Sequence, residues 1–197
     1  MFGFDRGQPI DRLYIERFLS VHAPDIRGTV LEIAGNDYAR RFGHDVTRCD
    51  VLHVDANHQG GTIAADLSNA AGMSSDLFDC IICTQTLQFI YDVRAAVGTL
   101  HRLLKPGGVL LMTVPGISQI SRFDMDRWGE HWRFTTLSTR RLCEGVFPPP
   151  NVSVRAHGNV LAATAFLYGL AAEELQQEDL DHSDADYELL ITARAAK

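Results

Sequence analysis

At 197 residues, with 46% hydrophobic and 22% charged positions, the chain has the make-up of one soluble folded unit, long enough to bury roughly 70% of the surface its unfolded form exposes. Its formal charge of -7 argues against a nucleic-acid partner gripped through its phosphates, which takes Lys and Arg, and favours a small-molecule or protein substrate. No apolar run nears the roughly 20 residues of a membrane span, and Phe2, Phe4 and Ile10 stand among Asp5, Arg6 and Gln8 rather than in a leader, so a cytoplasmic protein without membrane attachment is expected.

In chain order, Asp11 reads as the cap of a helix whose stripe is Ile15, Phe18, Leu19 and His22. Thr29 to Ile33 is the first strand, and the chain then turns through Glu32-Ile33-Ala34-Gly35-Asn36-Asp37-Tyr38. Asp37 to Phe42 leaves room for only a turn or two of helix before Gly43. Asp45 to Leu52 is the second strand and Thr62 to Ala65 the third, with too few residues between them for a crossover helix. Phe78 to Cys83 and Val109 to Val114 are apolar runs of strand length, suited to a parallel sheet covered on both faces. Between them Asp92 caps a helix striped by Val93, Ala96, Val97, Leu100, Leu103 and Leu104, and Lys105-Pro106-Gly107-Gly108 stops it. The unit is a βαβ crossover.

Further on, Ser118 to Thr135 is aromatic and charged, and Ser138 reads as the cap of a short helix ending at Gly145. Three prolines follow, then a strand at Val152 to Ala156 and an apolar helix from Val160 to Leu175, which either covers the sheet or forms a dimer seam. Monomer and homodimer both fit. The acidic run from Glu178 to Glu188 lacks the glycine and terminal glutamate of a calcium loop and reads as a solvated connector, and Tyr187 to Ala193 as the last strand. Cys80 and Cys83 have C-x-x-C spacing, but residues three apart in a strand point to opposite faces, so no metal site is expected.

Phe78-Asp79-x-Ile81-Ile82, with Leu87, Ile90 and Asp92 behind it, followed by Leu100-x-Arg102-x-Leu104-Lys105-Pro106-Gly107-Gly108-x-Leu110-Leu111, resembles the class I S-adenosylmethionine-dependent methyltransferases. Within that family the last part of this motif is most similar to the type 11 group, and the ends of the chain resemble small bacterial members often associated with glycosyl-transfer enzymes. The resemblance covers nearly the whole chain. It implies an α/β, Rossmann-like fold over residues 1–197, a mostly parallel sheet with helices on both faces and a last antiparallel strand. Residues 1–28 would be an N-terminal cap, and 117–136 a substrate-side insertion. It implies S-adenosylmethionine as cofactor, S-adenosylhomocysteine as product, and methyl transfer to an oxygen or nitrogen of a small acceptor such as a saccharide.

The same resemblance distributes the roles. Ala34, Gly35 and Asn36 stand where acidic-x-Gly-x-Gly is usual, with alanine and asparagine in the glycine positions. Glu32 would serve the ammonium or sulfonium, or else cap loop amides. Arg12 or Tyr14 would reach the methionine end or the ribose. A strand-end carboxylate can accept from both ribose hydroxyls, with Asp50 preferred and Asp55 competing. Asp66 and Leu67 would meet the adenine, and Thr84 and Gln85 would lie near the methyl. Trp128 and Trp132 would be acceptor walls, Arg133 an orienting donor and His131 the candidate base, unless these aromatics only pin the loop. The rival is a non-catalytic scaffold with a degenerate loop; an oxidoreductase is disfavoured because G-x-G-x-x-G is absent.

Overall fold

The computed structural model describes residues 4–197; Phe2 of the leader reading lies outside them. Seven strands form one sheet in the order β3-β2-β1-β4-β5-β7-β6. They are β1 Gly28–Ile33, β2 Val46–His53, β3 Ile63–Ala64, β4 Phe78–Thr84, β5 Leu104–Pro115, β6 Val152–His157 and β7 Leu190–Ala196. Neighbours are parallel from β3 to β5, and β7 runs antiparallel to both β5 and β6. The helices are α1 Ile10–Val21, α2 Asp37–Phe42, α3 Val93–Leu103, α4 Arg122–Trp128, α5 Thr136–Glu144, α6 Val160–Leu167 and α7 Gln177–Asp181.

Alternation along the strands divides the core into two layers. Ile81 and Cys83 of β4 face α3 and α5, in a cluster with Leu100, Leu103 and Cys143. Cys80 and Ile82 face the other way, onto Ile15 and Leu19 of α1 and Ala162 and Phe166 of α6. The two thiols of the C-x-x-C spacing therefore lie on opposite faces, both buried and both free. Burial pushes Cys83 up to about 12. Among the described residues no group of His, Cys, Asp and Glu could hold a metal ion, and no helix is long and apolar enough to cross a membrane.

Several boundaries differ from expectation for local reasons. Pro9, not Asp11, precedes α1; its fixed φ suits the entry, and the Asp11 carboxylate accepts from the Arg12 amide. Helix α3 does carry its Asp92 cap, bonded to the Ala95 amide. The Lys105-Pro106-Gly107-Gly108 turn belongs to the start of β5, where Gly107 has φ +78° and a Cβ on Gly108 would sit 3.0 Å from the Phe78 carbonyl. The cap of α5 is Thr135, which exchanges bonds with Ser138 in a capping box. The apolar helix from Val160 stops at Leu167, because Gly169 turns the chain at φ +74°. One face of α6 covers the sheet through Ala162, Ala163 and Phe166, while Leu161 and Tyr168 stay exposed.

The acidic connector is tied down. The side-chain amide of Asn159 donates to the carbonyls of Asp179 and His182, and Arg17 pairs with Asp181 at 2.9 Å. The sheet's last strand is Leu190–Ala196, three residues later than expected, since Glu188 is used instead to accept from the Thr136 amide and hydroxyl.

Candidate functional site

Strand order reverses between β1 and β4, and at such a switch point the carboxyl ends of the strands leave a crevice for ligand. A cavity of about 930 Å³ opens there, within the range of small-molecule sites. Five segments wall it: the loop after β1, the end of β2, the turn after β3, the turn after β4, and one face of α4, with α1 closing the side.

The loop after β1 is built around Glu32. Buried at 3% exposure, its carboxylate accepts from the Tyr38 amide at 3.2 Å and the Ala39 amide at 2.8 Å, anchoring the first turn of α2. Burial raises its pKa against the lowering effect of those amides. Glu32 lines the cavity, but both its oxygens are engaged in the amide-capping alternative. Ala34 is held at φ +67°, the backbone that glycine would adopt without cost. Ala34 and Gly35 line the cavity, whereas Asn36 begins α2 and is not on its wall.

Across this loop lies α1. Arg12 lines the cavity and donates to the Tyr38 hydroxyl at 3.4 Å, and Glu16 pairs with Arg41 of α2 at 2.6 Å. Tyr14 turns to the opposite side, donating to the Leu180 carbonyl and stacking on His157, so it does not reach the cavity. After β3, Asp66 and Leu67 are on the wall; Asp66 also caps its turn through the Ser68 amide and hydroxyl, each at 2.8 Å. Thr84 and Gln85 are there too, Gln85 in the left-handed region at φ +47°.

Asp50 is not at the strand end. β2 runs on to His53, so Asp50 pairs in register with Leu31 and spends its carboxylate on Arg48 at 2.9 Å and on the Thr62 hydroxyl at 3.2 Å. The cavity meets His53 and Val54 instead. His53 accepts the Asp55 amide on Nδ1 at 3.0 Å and stacks on His58, which reaches the Ala34 carbonyl. Asp55 accepts from the Asn57 amide and is off the wall.

The insertion is divided. Asp124 and Trp128, one turn apart on α4, line the cavity. Trp132 does not: its indole donates to the carbonyls of Ile90 and Tyr91. Arg133 pairs with Glu130 at 2.9 Å and donates to the carbonyls of Ser118, Gln119 and Trp132. His131 is exposed, edge-on to the Tyr91 ring with centroids 5.4 Å apart, and absent from the wall. Trp132 and Arg133 thus tie the loop to backbone carbonyls, and none of the three residues lines the cavity. Sequence reasoning missed His53, Tyr38, Tyr91 and Asp124; the only trace of Asp124 is its i,i+4 spacing from Trp128.

A family model described as a methyltransferase domain matches residues 10–155. The chain belongs to this methyltransferase family. No curated protein matches it. Solved structures share the fold at low identity. An S-adenosylmethionine-dependent methyltransferase from Archaeoglobus fulgidus superposes with TM-score 0.61 at 10% identity, over 94% of each chain. The N-methyltransferase NodS of Bradyrhizobium japonicum, bound to S-adenosylhomocysteine, does so with 0.56 at 18%, over 96% of this chain and 88% of that one. A Mesorhizobium loti methyltransferase gives 0.58 at 16%, over 95% and 98%.

The cavity has the groups that an amino-acid end and a planar base would each need. Opposite charges beside the glycine loop, Arg12 with Glu16 and Asp37, match an amino-acid zwitterion. Leu67 and Ile90 offer apolar contact for a planar base, with the Asp66 carboxylate on the same wall.

Proposed function

We propose that this cavity holds S-adenosylmethionine and that the protein transfers its methyl group to an oxygen or nitrogen of a small acceptor, a saccharide or related metabolite being the favoured class. The observation that carries the reading is the convergence of Glu32, Ala34, Gly35, Asp66, Leu67, Thr84 and Gln85, from three separate strand ends, on one cavity at the switch point. Arg12 would meet the carboxylate of the methionine end, and Asp66 would accept from the adenine's exocyclic amine. When bound, the sulfonium supplies a methyl group already activated for transfer.

What the chain contributes is alignment. Thr84 to Thr86 and Phe89 to Asp92 form the wall beside the strand ends, and the acceptor would enter between them and α4, held in line while water is excluded. The wall carries no histidine on that side, so no proton transfer falls to His131. The four cysteines are unbridged, which suits a reducing compartment such as the cytoplasm.

Calorimetry with S-adenosylhomocysteine tests the reading. One site per chain is expected. A folded protein that shows no binding at millimolar ligand would instead be the non-catalytic scaffold, with its left-handed Ala34 as the departure responsible.

A further inference from the structure

We propose that Asp124, carried on α4, is the carboxylate that receives the two ribose hydroxyls of the cofactor, taking over a task that the end of β2 does not perform. The proposal rests on the cavity holding S-adenosylmethionine. A vicinal diol presents two donors about one carboxylate apart, so it is best met by a group with two acceptor oxygens. On the β2 side the cavity wall has Leu52, His53 and Val54, of which Leu52 is apolar. Val54 has no polar side-chain atom. His53 Nδ1 is engaged with the Asp55 backbone, so the ring offers the ribose Nε2 alone, one polar atom where a diol presents two hydroxyls. Asp50 is spent on Arg48 and Thr62, and Asp55 is off the wall.

Most other carboxylates on the wall already serve the fold, Asp66 and Asp92 through one oxygen each. Glu32 uses both oxygens on amides, Glu16 pairs with Arg41, and Asp66 and Asp92 each cap a turn. Among the described residues, the side chains of two cavity acids make no hydrogen bond or ion pair: Asp37 and Asp124. Asp37 opens α2 beside the glycine loop, at the methionine end.

Asp124 is placed differently. It lies four residues before Trp128 and so shares its helix face, about one 5.4 Å turn away. The Trp128 ring stands edge-on to His53, with centroids 5.5 Å apart and planes at 81°. That contact fixes this face of α4 over the end of β2, and brings the free carboxylate to the side where β2 has none. The mount is firm: Ser121 caps α4 by accepting the Asp124 amide at 3.3 Å, and its own amide donates to Glu130, which Arg133 holds.

Two consequences follow. The ribose subsite is complete only with α4 seated, so cofactor binding and closure of this helix are one event. Affinity should also depend on Asp124 in proportion to the hydroxyls present on the ligand. The test crosses protein with ligand, measuring S-adenosylhomocysteine and its 2′,3′-dideoxy analogue on wild type, Asp124→Asn and Asp124→Ala by calorimetry. The side chain makes no bond within the fold, so unchanged thermal midpoints are expected. Each variant should bind S-adenosylhomocysteine about tenfold or more weakly, the scale of a lost hydrogen bond to a charged group, and bind the dideoxy analogue within about twofold of wild type. Amide exchange over residues 122–128 should slow when S-adenosylhomocysteine binds wild type, and slow less in the variants.

Equal affinity of S-adenosylhomocysteine for wild type and Asp124→Asn overturns the proposal. So does an equal loss for both ligands, which would make Asp124 a support of the fold. A selective loss in Asp55→Ala would transfer the role to Asp55. Wild type that binds neither ligand removes the cofactor reading itself, and this assignment with it.

Discussion

The two halves of the sheet are built to different standards. From β4 onward the chain uses long strands, a full amphipathic helix at α3, and antiparallel cover from β7. On the other side α2 has six residues, β3 has two, and β2 reaches β3 through residues 54–62 without a helix. The first half holds its shape by packing, since Leu100, Leu103, Ile81 and Leu110 are wholly buried. The second holds it by polar ties, among them Glu32 on the α2 amides, Thr62 on Asp50 and the Val51 amide, and His58 on the Ala34 carbonyl. A lean scaffold on the cofactor side is consistent with part of that side being supplied from elsewhere, by α1 and α4.

The contrast can be broken most severely at Leu100. Its replacement by alanine should cost about 2–5 kcal/mol in denaturant unfolding, because the two layers around α3 leave no room for collapse into the cavity. Glu32→Ala attacks the other half and should cost less, about 1–3 kcal/mol, by stranding the Tyr38 and Ala39 amides. Comparable losses from the two variants would mean that polar ties bear as much as packing does.

Ala34→Gly should act in the opposite direction. Left-handed backbone costs an alanine about 1–2 kcal/mol, and glycine returns part of that by loosening the unfolded chain, so a net gain of about 0.5–1 kcal/mol is expected in the same unfolding measurement. A loss would show that the Ala34 methyl has a packing role. The smallest effect is expected from Asp50→Ala on cofactor affinity. With its carboxylate turned to Arg48 and Thr62, S-adenosylhomocysteine binding should change by less than about twofold, on the scale where 1.4 kcal/mol is tenfold. A tenfold weakening would put the ribose back on β2.

What the sequence determined by itself is whatever depends on near neighbours along the chain. Apolar strand-length runs, the Asp92 cap and stripe of α3, and the turn at Gly107 specify a βαβ unit from within some forty residues. The positions of Glu32, Asp66, Thr84 and Gln85 follow, because a strand end is fixed by the strand. Opposite facing of Cys80 and Cys83 follows from the two-residue period.

Tertiary structure decided the rest. Where β2 ends depends on pairing with β1 as far as Leu52 and with β3 at His53, which leaves Asp50 inside the strand. Whether His131, Trp132 and Arg133 face the ligand or the body depends on carbonyls at Ile90, Tyr91, Ser118 and Gln119, up to 42 residues away. Asp124 reaches the cavity only because Trp128 rests on His53, a contact between segments that no local pattern joins. Side-chain direction within a strand or helix is a local property; the partner that a loop residue finds is settled when distant backbone groups compete for its hydrogen bonds.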